Sequence, residues 1–111
     1  MSMIYTSDHK LSDDIIRLCP ELFSQGAATV IEESPYPQPF GNAWVIVKIN
    51  AVLFRFVWDR ATPIVQVKFA EQGPWEWLDA VVARVAGPPD TSPADWSDWC
   101  ALIKQLLAPS F

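Results

Sequence analysis

The sequence predicts an α+β fold, an antiparallel β-meander of three to four strands with an N-terminal helix and two C-terminal helices packed on one face. Three observations lead there. Two β-prone runs, Ala43 to Ile49 and Val52 to Trp58, meet at Asn50-Ala51. Apolar residues recur at helical spacing near both ends of the chain. Apart from Pro20 within the N-terminal stripe, glycine and proline stand at the boundaries between these segments rather than inside them.

A chain of 111 residues is close to the commonest size for one domain, so residues 1–111 are expected to form a single domain. Half of the residues are hydrophobic and 13% are aromatic, a composition that packs rather than one that stays disordered. No apolar run approaches the length of a membrane span, and Met1 to Lys10 lacks the apolar core of a signal peptide, so the expected location is cytoplasmic. Cys19 and Cys100 each lie among helix-like apolar residues, which suits small buried hydrophobes better than a disulfide framework.

The elements follow in order. Leu11, Ile15, Ile16, Leu18, Cys19, Leu22 and Phe23 form an amphipathic stripe, with Ser7 or Ser12 as candidate caps and a bend or restart at Pro20. Gly26 marks the stop. Ala28 to Glu33 is a short edge strand, and the alternating prolines of Ser34 to Pro39 make a stiff loop after it. If the Asn50-Ala51 turn is two residues long, Ile49 faces Val52, Val47 faces Phe54, Val45 faces Phe56 and Ala43 faces Trp58 on one wholly apolar side. After a connection from Asp59 to Pro63, Ile64 to Phe69 adds a strand that alternates Val65, Val67 and Phe69 with Gln66 and Lys68. Pro74 is placed as the first residue of a second helix with the stripe Leu78, Val81, Val82 and Val85, ended by Gly87-Pro88-Pro89. Ser92, Pro93 and Asp95 introduce the last helix, whose stripe is Trp96, Cys100, Ile103 and Leu107 with Trp99, Leu102 and Leu106 alongside.

Few groups suit catalysis. His9 is the only histidine, placed near a mobile terminus and far along the chain from any nucleophile it would activate. One histidine and two distant cysteines give no zinc spacing, so neither metal nor cofactor is expected. Asp13-Asp14 and Glu32-Glu33 are adjacent pairs whose side chains diverge on either a helix or a strand. Asp59 before Arg60 is read as organising a turn. The four glycines are dispersed and build no phosphate loop.

The side of the sheet opposite the apolar one carries Trp44, Ile46, Lys48, Leu53, Arg55, Val57, Gln66 and Lys68. That mixture fits either a docking surface or a face partly covered by a helix or loop. Six tryptophans are many for this size. Trp75 and Trp77, flanking Glu76 on the expected first turn of the second helix, cannot both point inward. Thirteen acids against eight bases, a formal net charge of −5, disfavour nucleic acid and favour a basic protein partner.

Phe40-Gly41-Asn42-Ala43-Trp44-Val45-Ile46-Val47, Phe54-Arg55-Phe56-Val57-Trp58-Asp59-Arg60, Val65 to Phe69 and Trp75 to Val82 together resemble small bacterial immunity proteins of polymorphic or contact-dependent toxin systems. The resemblance covers roughly residues 40 to 85. It implies a non-catalytic domain that binds and neutralises a cognate protein toxin, a basic nuclease being one candidate, as a monomer or weak dimer without membrane or nucleic-acid binding. Under it, the candidate partner-binding residues are Glu32, Glu33, Asp59, Glu71, Glu76 and Asp79, with Trp75 or Trp77 as an apolar anchor. The rival reading is a small acidic secretion chaperone acting as a homodimer on a client. A small enzyme or ligand-binding module would instead need a deep pocket with convergent polar groups.

Overall fold

The computed structural model describes residues 5–24, 28–70, 72–87 and 92–107. An antiparallel sheet of five strands runs in sequence order, β1 (Ala28–Glu33), β2 (Ala43–Ile49), β3 (Val52–Asp59), β4 (Thr62–Lys68) and β5 (Glu76–Trp77). Helices α1 (Leu11–Leu18) and α2 (Pro20–Ser24) precede it, and α3 (Leu78–Ala86) and α4 (Trp96–Leu107) follow. No described helix is long and apolar enough to cross a membrane.

The central hairpin has the expected register, with Ile49 opposite Val52, Val47 opposite Phe54, Val45 opposite Phe56 and Ala43 opposite Trp58. Asn50 takes a positive φ of 56° at the turn, a conformation asparagine tolerates. Period-two alternation then sends Val45, Val47, Phe54, Phe56, Val65 and Val67 to one side. All six are buried with Leu11, Ile15, Leu22, Leu78, Val82 and Ile103 of the helices in a single core.

The N-terminal helix breaks where Pro20 requires, with Cys19 between α1 and α2. Neither expected serine caps it: the N-cap position is Lys10, without a side-chain cap. The orphan amides are met from outside the helix. Leu11 N–H donates to the Tyr36 hydroxyl at 2.9 Å and Ser12 N–H to Glu33 Oε2 at 3.1 Å. Gly26, the expected stop, lies outside the described residues.

Three boundaries differ from expectation. The β3–β4 connection is only Arg60-Ala61, both with positive φ (50° and 65°), so Thr62 and Pro63 already pair with Asp59 and Trp58. Asn42, not Asp59, organises this turn, its Oδ1 accepting Arg60 N–H at 2.8 Å. Pro74 does not open α3. Trp75 and Trp77 therefore sit on extended chain, Glu76–Trp77 pairing with Val67 and Gln66 as the fifth strand, because the β4 edge offers ladder bonds before the helix starts at Leu78. Asp95 replaces Ser92 and Pro93 as the start of α4: its Oδ1 accepts Asp98 N–H, and Asp98 Oδ2 accepts Ala94 N–H, both at 2.9 Å, a reciprocal capping arrangement.

Some expected core positions face solvent. Phe69, just beyond β4, is 49% exposed and Val85 on α3 is 66% exposed, whereas Leu78, Val81 and Val82 are buried. Cys19 and Cys100 are buried as expected, yet they are also a pair. Their sulfurs are in bonding contact across a Cα separation of 6.0 Å, linking positions 81 residues apart. Two helix faces brought onto one core supply a proximity that local spacing does not encode.

Tyr5, the first described residue, is also built into the core. Tyr5 is fully buried and packs edge-on against Trp58 with ring centroids 5.5 Å apart. Thr6 and His9 form an antiparallel bridge. His9 is thus held rather than mobile, because the segment before it is anchored by an aromatic plug.

Candidate functional site

Two polar constellations arise from this fold. The first surrounds Asp14, which is 3% exposed. Its Oδ2 accepts the Tyr5 hydroxyl at 2.8 Å, and its Oδ1 lies 3.0 Å from both His9 Nε2 and Arg17 Nη2. Trp96 Nε1 donates to the Tyr5 oxygen at 3.3 Å. Burial alone would raise the Asp14 carboxyl, but hydrogen bonds from Arg17, Tyr5 and His9 outweigh it and hold the group below its ordinary value. Burial, opposed by the Trp96 bond and reinforced by Asp14, pushes the Tyr5 phenol far upward, so it stays a neutral donor. The side chains here bond one another and tie Tyr5 and His9 to α1 and α4. Their arrangement is that of a structural lock.

The second constellation is the outer face of the sheet. Helices α1, α3 and α4 all pack on the other side, and Trp44, Ile46, Arg55, Val57 and Gln66 keep partial exposure with no described helix above them. They line a groove of about 380 Å³ together with Glu32. Arg55 stands at the middle of β3, the central strand. Its Nε donates to Gln66 Oε1 at 2.8 Å, a bond that Nη2 shares, and its guanidinium lies 4.5 Å from the Trp75 ring centroid. Lys68 Nζ is 5.3 Å from the same ring. Partial burial lowers the Arg55 pKa from its usual value, although a guanidinium remains charged throughout the physiological range.

Tryptophans divide evenly between the two sides. Trp58, Trp96 and Trp99 belong to the helix-covered side. Trp44 is opposite Val57, and Trp77 is opposite Gln66, so directly paired positions put both indoles on the outer face. Trp77 is 52% exposed. Neither Trp75 nor Trp77 enters the core; Trp77 belongs to the sheet and Trp75 to the segment just before it, and neither is on a helix turn.

The expected acids are scattered. Glu32 alone lines the groove, turned outward by a bulge between Val30 and Glu32. The same bulge sends Glu33 inward to Ser12 and Tyr36. Asp59 is exposed at the end of β3. Glu76 pairs with Arg84 at 2.8 Å, Asp79 is in the first turn of α3, and Glu71 lies outside the described residues. Of the expected site residues, the outer face unites Glu32, Trp75 and Trp77. Trp44, Ile46, Arg55, Val57 and Gln66, which the sequence already assigns to this face with docking as one of two readings, join Glu32 in the groove; their signal is that they alternate with the buried apolar positions of β2, β3 and β4.

A second, smaller cleft of about 320 Å³ lies between Leu18, Trp58, Pro63 and Trp96. The buried Trp58 indole N–H has no hydrogen-bond partner among the described residues. Compared with protein-family models, with curated proteins and with solved structures, the chain matches none.

Proposed function

We propose that this chain is a non-catalytic binding protein that docks a folded protein partner on the outer face of its sheet. The observation that carries the reading is the gathering of Trp44, Trp75 and Trp77 on a sheet face that holds a groove of mixed apolar and polar lining and that no described helix covers. Tryptophan supplies large rigid contact area at low entropic cost, and partly exposed aromatics beside aliphatics are the composition of interface centres. The resemblance to immunity proteins supplies the setting: the partner is a cognate bacterial toxin, and neutralisation follows from occupying its surface. Cytoplasmic residence belongs to the same proposal, with Cys19 and Cys100 held there as a dithiol.

The test is co-expression with the toxic C-terminal segment of a secreted protein encoded beside this chain. Protection and co-purification are expected from the parent protein and lost in a Trp44→Ala/Trp77→Ala variant that retains its circular dichroism. Full protection by that variant would remove the outer face from the mechanism. The open sheet face with its exposed aromatics also suits a secretion chaperone, for which light scattering would return a stable homodimer instead of a monomer.

A further inference from the structure

The positive charges are not distributed like the rest. Arg17 pairs with Asp14, Arg84 with Glu76 and Lys104 with Glu21. Among the described residues Arg55, like Lys48 and Lys68 on the same face, forms no salt bridge within 4.0 Å, and of these three it is the one that is half-buried at the middle of the central strand. A guanidinium has five N–H donors. Gln66 Oε1 takes two of them, from Nε and Nη2, and the Trp75 ring covers one side of the plane. Three N–H groups therefore remain in a plane that Gln66 and Trp75 have already fixed, which is the arrangement that receives a carboxylate through two parallel hydrogen bonds.

The surroundings select the same charge. Thirteen acids and eight bases make up the whole chain, yet the outer face reverses the ratio, with Lys48, Arg55 and Lys68 against Glu32 and, at the strand end, Asp59. Water is partly displaced from the groove by Trp44, Ile46 and Val57, which strengthens any charge-assisted bond formed there. Glu32 at the rim disfavours the continuous phosphate track of a nucleic acid.

We propose that Arg55 anchors a carboxylate side chain presented by an acidic segment of the protein partner, with apolar flanking residues seated on Trp44, Ile46 and Val57. This rests on the docking reading above and names the chemistry of the partner's contact. The bound carboxylate would share the guanidinium with Gln66, leaving no buried charge unmatched.

The experiment uses the full chain labelled with ¹⁵N and follows the Arg55 Nε–H and the tryptophan indole N–H resonances. The probe is the peptide acetyl-Phe-Glu-Phe-amide, compared with acetyl-Phe-Gln-Phe-amide, with phenylacetate and with oligothymidylate. Saturable shifts of Arg55 Nε–H and the Trp44 and Trp75 indoles are expected, with the glutamate peptide preferred over the glutamine peptide by about tenfold. Arg55→Gln should abolish that preference and Arg55→Lys should reduce it, each retaining the dispersed spectrum of the parent. Equal binding of both peptides, no saturable shift, or a stronger response to phenylacetate or to oligothymidylate would overturn the proposal. If Arg55→Gln still neutralises the partner while the Trp44→Ala/Trp77→Ala variant does not, docking stands and the carboxylate anchor falls.

Discussion

Glu33 closes the start of α1 from the end of β1: Oε2 accepts Ser12 N–H at 3.1 Å while Oε1 accepts the Ser12 hydroxyl at 2.9 Å. Tyr36 joins them, donating its hydroxyl to Glu33 Oε2 at 2.7 Å. Burial and the neighbouring carboxylate raise the Tyr36 pKa to about 12, which keeps the phenol a donor. Glu33→Ala leaves the Ser12 amide without its acceptor and is expected to cost about 1–2 kcal/mol. Urea denaturation at neutral pH measures this, and an unchanged midpoint would show that water replaces the cap without loss.

Asp14 predicts a pH dependence of stability. Its folded pKa lies below the ordinary carboxylate value, so the ionised form favours the native state. The contribution is complete above the unfolded pKa of about 3.9 and is lost as pH falls through the lower, folded value. Asp14→Asn should lower stability at pH 7 by about 1–3 kcal/mol, since Tyr5, His9 and Arg17 lose a charged acceptor. It should also flatten the fall in stability below about pH 4. Denaturation curves collected across the acid range distinguish this from a uniform loss.

At the β3–β4 turn, Ala61 occupies a φ of 65°, where a side chain is strained and glycine is not. Ala61→Gly is expected to raise stability by about 0.5–1 kcal/mol, the relief of left-handed strain exceeding the added freedom of the unfolded chain. Thermal unfolding of the variant gives the sign directly, and a lower transition temperature would contradict it.

Cys19 and Cys100 close a separation of 81 residues. In oxidised protein the cross-link restricts the unfolded chain by about 4 kcal/mol on the chain-entropy account. Added reductant should therefore shift the denaturation midpoint of the parent and leave a Cys19→Ser/Cys100→Ser variant unmoved.

The hairpin was legible in the sequence to the residue, because a two-residue turn and strict alternation leave one register that buries Val45, Val47, Phe54 and Phe56 together. The break at Pro20 was equally plain. The bulge near Ile31 was not, since one extra residue leaves no compositional mark, and it alone decides that Glu33 turns inward while Glu32 turns outward. Pro74 misled for a related reason. Proline suits a helix start and an extended lead-in alike, and only the vacant β4 edge draws Glu76–Trp77 into the sheet. The outer face was readable as a list of residues, but whether a helix covered it depended on which side of the sheet the terminal helices chose.

That choice matters together with how the sheet is bordered. On one border, β1 carries the bulge between Val30 and Glu32. On the other, β5 is two residues long, and Pro63 of β4 has no N–H to offer while its carbonyl accepts the Trp99 indole N–H at 2.9 Å. Irregular, proline-bearing margins resist extension by a foreign strand. Among the described residues a visiting chain therefore finds only a short or bulged backbone edge to pair with, which favours an approach to the broad side of the sheet.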